Sequence, residues 1–370
     1  MQHLPVQSAR VAKDGSMEGS TRVSYSALHS FIAVALEKAG LPANDAEAVG
    51  ALMAEADLQG SDGHGVTRLP SYVKRIKSGG VNRTPHIRVV EERAATALLD
   101  GDNGMGHLVM KRAAELAVAK ARAAGVAWVG ARWSNHAGPA SLYARIALPH
   151  DMIGLYLAVG NANHLPPWGG LDMLLSTNPI AVAVPAGAEA PVVLDMATTV
   201  AAYGKVKAKA QRGEAMPIGW MIDRQGQPLT DPRRAEEGFL LPIGGYKGYG
   251  LALIVGLLAG TLNGAAMGKD VIDFNRDVSS ATNTGQAIVA IDIAAFGDVG
   301  AFKAQVDRLA RDLRGSARMP AVERIWLPGE QSQAKRMEYG RSGIPLAPAL
   351  IDILEKLARD LGIQTLKTEE

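Results

Sequence analysis

The sequence predicts a mixed α+β fold, with a largely antiparallel or mixed sheet in the middle and helices gathered at both ends. Three observations point there. Amphipathic helical periods occupy residues 24–76 and return over 299–361. Between residues 152 and 200 the strand-like runs follow one another without a helix of useful length, which favours antiparallel pairing over a doubly wound sheet. Neither G-x-G-x-x-G nor G-x-x-x-x-G-K-[ST] occurs in the chain.

The chain has 370 residues, enough for two domains and a sizeable core, and a hydrophobic share of 47% marks an ordinary globular composition. Thirty-nine basic residues stand against 37 acids. That balance leaves no footprint for nucleic acid and no basic membrane anchor. No cysteine is present, which excludes disulfides, iron–sulfur ligation and thiolate catalysis. No H-E-x-x-H or G-x-S-x-G occurs, so zinc hydrolysis and serine acyl transfer have no support.

In chain order, residues 1–23 are charged and lack an apolar core, and read as a flexible tail rather than a signal peptide. Leu28, Phe31, Ile32, Ala35, Leu36 and Ala39 mark a helix from Ser24, stopped by Gly40. Asn44 and Glu47 suggest a capping pair for a second helix running to about Leu58. A third helix continues through Tyr72–Ile76 to the Ser78-Gly79-Gly80 stop. Thr96–Leu99, the glycine-rich Gly101–Gly106, a helix over 111–124 and a strand at Val126–Val129 draw the outline of a nucleotide-binding βαβ unit. The glycine spacing is wrong for one, and no acid closes the second strand to hold a ribose. Further strands are expected at Met152–Val159, Ile180–Val184, Val192–Leu194, Ala287–Ile291 and just before Pro328. The Asp195-Met196-Ala197-Thr198-Thr199 segment is positioned to offer hydroxyls and N–H groups to a ligand. Gly248–Gly268 is an uncharged run of 21 residues with small residues every fourth place. Length would admit a membrane span, but Thr261, Asn263 and the glycines favour a buried helix with its N-terminus aimed at an anion. Pro348–Leu361 closes the chain as a helix.

The chemistry is expected at Gly60–Tyr72. His64, Arg68 and Tyr72 recur every four residues and share one stripe if the chain is helical after Gly65. Imidazole moves protons near neutral pH, guanidinium grips a carboxylate with two parallel bonds, and phenol adds a donor. The trio suits a small anionic substrate that gains or loses a proton; the same spacing also suits an ordinary surface helix. A second polar cluster, Ser134-Asn135-His136, follows a strand and supplies another candidate proton carrier. An acid such as Asp62 or Asp195 is the expected counter-charge for either imidazole beside Arg68.

Nine segments now line up in order: HGVTRLPSY, SNHAG, PPWGG, STNPIAVAVP, DMATT, GKV, LPIGGYKGYGLAL, NTGQ and LPGE. With them the chain resembles the type-2 malate/L-lactate dehydrogenase family from about Ser24 to Glu330. The resemblance implies an NAD(P)-dependent oxidoreductase (cofactor NAD or NADP) acting on a small 2-oxo or 2-hydroxy acid. It implies a non-Rossmann cofactor domain over 96–299 and a helical domain made from 24–95 and 300–370. It also implies a cytoplasmic homodimer with the active site near the interface, binding neither nucleic acid nor membrane. His64 matches the histidine named as proton donor in some members and His136 the one named as proton acceptor in others, so both are catalytic candidates, and Arg68 with Tyr72 nearby matches the substrate site. Asn161, Asp195, Met196, Ala197, Tyr246, Lys247, Gly329 and Glu330 fall on cofactor-contacting positions. Gly63 replaces a common serine, Gly256 a common acid, and Ala137 an aromatic. An NADPH-dependent reductase of cyclic imino acids, or a nucleotide-binding protein without catalysis, is the alternative.

Overall fold

The computed structural model describes residues 20–368. Strand β1 (Thr21–Val23) opens the described chain, followed by helices α1 (Tyr25–Ala39), α2 (Ala43–Leu58) and α3 (Leu69–Lys77). Strands β2 (Arg88–Glu92) and β3 (Thr96–Gly104), helix α4 (Gly106–Ala124) and strand β4 (Val126–Ser134) come next. Short α5 (Ser141–Ala144) leads to β5 (Met152–Ala158), β6 (Ile180–Val184) and β7 (Val192–Met196). Helix α6 (Tyr203–Arg212), strands β8 (Met221–Asp223) and β9 (Gly238–Leu240), helix α7 (Tyr246–Ala259) and β10 (Gln286–Asp292) follow. The chain ends with α8 (Val299–Arg314), α9 (Glu330–Ser342), β11 (Ile344–Leu346) and α10 (Pro348–Leu361).

The main sheet has seven strands in the order β2-β3-β4-β10-β5-β6-β7. Its only parallel pairing is β3 with β4, and the other five are antiparallel. The β3–α4–β4 outline is therefore real, but it is set in a mainly antiparallel sheet. Residues 101–104, which resemble a phosphate loop, extend β3 instead: Asn103 sits at φ 55° and Asn135 donates to both its backbone and its side-chain oxygen.

Alternation along the strands makes two cores. Tyr156, Ala158, Ile288 and Ala290 face the alanine-rich side of α4 (Ala113, Ala114, Ala117, Ala121), whose small side chains let helix and sheet approach closely. Leu157, Val159 and Ala287 face Val255 and Ala259 of α7 on the opposite side. A third core joins both chain ends, packing Phe31, Ile32, Leu36, Met53 and Ile76 against Leu354 and Ala358. In α1 the buried face is the set read from periodicity, Ser24 caps its start by accepting from Ala27 N (3.2 Å), and Gly40 ends it at φ 117°.

Several expectations are corrected. Residues 1–19 lie outside the described residues, but the tail does not extend to residue 23, because Thr21–Val23 pair antiparallel with Ile344–Leu346. Helix α2 starts one residue before Asn44, at Ala43, with Pro42 in the capping position and no side-chain cap. The run from Gly248 is not one helix: α7 stops at Ala259, a 3-10 turn spans Thr261–Asn263, and Gly264 turns left-handed at φ 66°. No helix among the described residues is long and apolar enough to cross a membrane. The segment before Pro328 is loop, not strand, although the Pro328 carbonyl accepts from Val193 N on the free edge of β7 (3.0 Å). Helices α6 and α9 and the β8–β9 pair had no counterpart in the sequence reading.

Candidate active site

Gly60–Arg68 is shaped from beneath by Asp57, at the end of α2. Its buried carboxylate accepts from Val66 N (2.7 Å), starting the 3-10 turn Val66–Arg68 that leads into α3. A Cβ on Gly65 would lie 2.1 Å from that carboxylate, so only glycine fits there. Pro70 sits in the first turn of α3, where its missing N–H is harmless. His64, Arg68 and Tyr72 thus enter the site from a turn and one helix, but they do not act alike. Tyr72 is 1% exposed, and its hydroxyl lies 2.6 Å from His136 Nδ1. Arg68 Nε donates to the Gly63 carbonyl (3.0 Å), so the residue that replaces the common serine tethers the guanidinium through its backbone.

His136 arrives from the loop after β4. Asn135 locks that loop by donating to Asn103 and Gly104 carbonyls and accepting from Thr282 Oγ1 (2.7 Å). The His64 and His136 rings stack with centroids 5.3 Å apart and planes 10° from parallel. Gly138 N–H donates to His136 Nδ1 (3.3 Å) beside the Tyr72 contact, leaving Nε2 as the nitrogen free for a substrate. The two sequence-predicted histidines therefore meet although 72 positions separate them.

Sequence reasoning missed the residues around this pair. His107 of α4 is fully buried, presents its edge to Tyr72 at 5.6 Å, and neither ring nitrogen has a partner. Phe274 packs on Tyr72 and His136. Arg75 lies 4.4 Å from the Phe274 ring centre, donates to the Asp277 carbonyl (2.5 Å) and Thr282 Oγ1 (3.1 Å), and is fully buried. Only Arg75 carried a local signal, standing one residue before Ile76 on the apolar face of α3.

The cluster is poor in negative charge. Burial, then Arg68, lowers His64 to about 4. Burial lowers His136 well below the usual histidine range, with Arg68, His64 and His107 adding to it. Burial and then His64 bring His107 to about 3, and burial lifts the Tyr72 phenol. The charges that shift these three imidazole rings are Arg68 and one another, with no acid among them, and of the two expected acids Asp195 is engaged in accepting from Ser141 N (2.8 Å).

The remaining expected positions fall into two groups. Asn161 belongs with the histidines: its Nδ2 donates to Thr284 Oγ1 (2.5 Å) and its carbonyl accepts from Phe274 N (2.9 Å). Asp195, Met196 and Ala197 lie at the end of β7, beside Gly329 and next to the segment that enters α7. Thr198 O accepts from Ile243 N (3.0 Å), which brings Tyr246 and Lys247 to the same edge. Gly244 and Gly245 take φ 59° and 66°, α7 begins with no side-chain cap, and Lys247 is exposed in its first turn. Thr198 and Thr199 do not offer hydroxyls to a ligand: both are buried, donating to the Thr177 and Ala201 carbonyls. The Glu330 carboxylate is likewise committed, to Arg314 (2.7 Å) and Leu327 N (3.0 Å). Gly256, where family members often carry an acid, faces Met267: a Cβ there would lie 2.7 Å from its methyl.

A buried imidazole pair beside an unpaired guanidinium, next to a glycine-rich, uncapped helix start, is the arrangement of an oxidoreductase handling a small anion. The malate/L-lactate dehydrogenase family model matches residues 23–355. A malate dehydrogenase of Pyrococcus abyssi is 38% identical over 95% of this chain and 98% of its own. The NAD(+) ureidoglycolate dehydrogenase of Escherichia coli K12 is 32% identical over 92% and 95%. The solved sulfolactate dehydrogenase of Methanocaldococcus jannaschii superposes with a TM-score of 0.86 at 35% identity, covering 93% of this chain and 98% of that one. The chain belongs to the malate/L-lactate dehydrogenase family.

Proposed function

We propose that this protein is an NAD(P)-dependent dehydrogenase that interconverts a small 2-hydroxy acid and its 2-oxo acid, with Arg68 holding the carboxylate and His136 exchanging the proton. The observation that carries the reading is the Tyr72–His136 contact of 2.6 Å inside an imidazole stack. It fixes one ring nitrogen and leaves the other for substrate.

In the free protein His136 is neutral, the form a proton acceptor needs for oxidation of a hydroxy acid. The ring takes the hydroxyl proton at Nε2 in its Nδ1–H tautomer, in which the Nδ1 proton goes to the Tyr72 oxygen and the Gly138 N–H contact is given up; the product is the imidazolium. In the reverse direction the arriving carboxylate offsets the Arg68 charge, removing part of the repulsion that keeps the ring unprotonated. Substrate binding thereby readies the donor. His64, stacked on His136, fixes the plane of the ring and excludes water from one of its faces. A nicotinamide held beside Asn161 would supply or take up the hydride at C2.

The uncapped start of α7 fits the cofactor's pyrophosphate, because free N–H groups and the positive helix end favour an anion and Lys247 adds charge. Asn161 would face the nicotinamide side, and Asp195–Ala197 with the Gly329–Glu330 backbone the remainder. In this reading the mainly antiparallel sheet is a non-Rossmann cofactor platform (96–299), and the core joining both chain ends is the substrate-side unit. Exposed Ile254 and Leu257 of α7, with Leu262 in the turn after it, support a homodimer. The compartment is the cytoplasm, where nicotinamide cofactors circulate.

The test is steady-state turnover on a panel of 2-oxo and cyclic imino acids with NADH and NADPH. His136→Ala is expected to lose on the order of 10²–10⁴ in kcat. Near wild-type turnover in that variant would remove His136 from the proton step.

A further inference from the structure

Arg75 of α3 is a fully buried guanidinium that the mechanism above leaves unused. It reaches toward residues 271–285, which form neither helix nor strand. A connection of that length inside a compact fold is usually functional. This one also runs inward, since Phe274, Thr282 and Thr284 are all buried. Carbonyls carried inside by such a segment need donors that water cannot supply.

Arg75 supplies them. Nη1 donates to the Phe274 (3.3 Å) and Asp277 (2.5 Å) carbonyls, and Nη2 to those of Ser280 (3.0 Å) and Gly80 (2.9 Å). Nη2 also reaches Thr282 Oγ1 (3.1 Å) and Asn135 Oδ1 (3.3 Å), which are themselves joined at 2.7 Å. The guanidinium carbon lies 4.4 Å from the centre of the Phe274 ring, so one group holds that residue by its carbonyl and by its π face. The Asp277 carboxylate is spent within the segment, accepting from Ser279 N (3.1 Å) and Ser280 N (2.8 Å). The segment also rests directly on the turn after α3: a Cβ on Gly80 would lie 2.2 Å from the Val278 carbonyl oxygen.

Two branches of this network meet at His136. Asn135 is its chain neighbour, and Phe274 packs on the imidazole with ring centroids 5.9 Å apart. We propose that Arg75 is a positioning residue for the proton step: its fork fixes Asn135 and Phe274 together and so holds the His136 ring in register with Tyr72 and the substrate. The inference rests on the dehydrogenase reading above. Lysine is no substitute, because an ammonium is a compact charge with three donors. It cannot span acceptors drawn from the turn after α3, the loop before His136 and residues 274–282.

Arg75→Lys and Arg75→Met are expected to lower kcat by on the order of 10²-fold, the cost of a small misplacement of a reacting group. KM should stay nearly unchanged, because Arg68 is untouched. Thr282→Val removes the bridge between Arg75 and Asn135 without removing a charge, and decides the matter where the arginine variants do not fold. It should lower kcat to a smaller extent, again at constant KM. Nitrogen NMR of the His136 ring reads the register without turnover. The Nδ1 signal, set by the Tyr72 contact, should shift in Thr282→Val and in Arg75→Lys, while amides of α1 and α10 keep their wild-type exchange protection. That pattern upholds the positioning role even where the wild type turns over no 2-oxo or imino acid and the dehydrogenase reading fails. An unmoved Nδ1 signal with wild-type kcat overturns the proposal. So does a raised KM at constant kcat, or a loss of kcat that only follows a general loss of exchange protection.

Discussion

Tyr72→Phe deletes one hydroxyl and separates two roles for this side chain. The sequence pattern placed Tyr72 against substrate, whereas its hydroxyl is spent on His136 Nδ1. Loss of that bond should lower kcat roughly tenfold, the rate equivalent of about 1.4 kcal/mol, with KM nearly unchanged. A raised KM at constant kcat would return Tyr72 to the substrate. Gly65→Ala drives a methyl into the Asp57 carboxylate. It should destabilise by about 1–3 kcal/mol in denaturant titrations, as overpacking does, and misplace Arg68 as well. The two histidines and Arg68 were legible because each follows the end of a recognisable element. His107 was not, since a histidine one residue into an alanine-rich helix looks like any other residue of that face. Phe274 comes to Tyr72 from about 200 positions away, and no local pattern encodes which loop will cover a site.

Helix α7 contains two glycines with opposite prospects. A Cβ at Gly250 meets nothing within 4 Å, so Gly250→Ala should stabilise by about 0.5–1 kcal/mol through helix propensity. At Gly248 the added carbon would lie 2.1 Å from the Ile243 carbonyl oxygen, and there the same substitution should destabilise. Thermal melts of the pair check both signs, and a Gly248→Ala variant with raised Tm contradicts the packing described. Element-level reading of the sequence succeeded where a period ran cleanly between punctuating residues: α10 begins at Pro348 and ends at Leu361, as its pattern requires. It failed beyond Ala259, because a four-residue repeat of small residues describes a smooth surface equally well in helix and in turn. It also passed over α6, whose lysines and alanines give weak contrast between faces.

Across the whole molecule, neutral histidines make the fold acid-sensitive. His64 and His164 are held at about 4, His107 at about 3, and His136 well below its usual range, burial being the first cause each time. The unfolded chain takes up protons near pH 6.5 and the folded one does not. Their contribution is therefore fully present above about pH 6.5 and is lost as pH falls toward 4, by up to about 1.4 kcal/mol per unit for each histidine that stays neutral. Melting curves at pH 7.5 and pH 5 should show a lower Tm at pH 5, and an unchanged Tm would mean that the rings are protonated in place. The mainly antiparallel sheet followed from strands that succeed one another without helices, but the antiparallel β10 entering between β4 and β5 from 130 residues downstream had no local cue.

The pairing of Thr21–Val23 with Ile344–Leu346 has a consequence for biosynthesis. The first helices leave the ribosome long before Leu354 and Ala358, the residues that complete their core, have been made. At translation rates of about 5–20 residues per second, Phe31 and Ile32 must wait many seconds for their cover. Nascent chains halted before residue 340 should therefore expose that apolar face to chaperones, and release of the final thirty residues should close it.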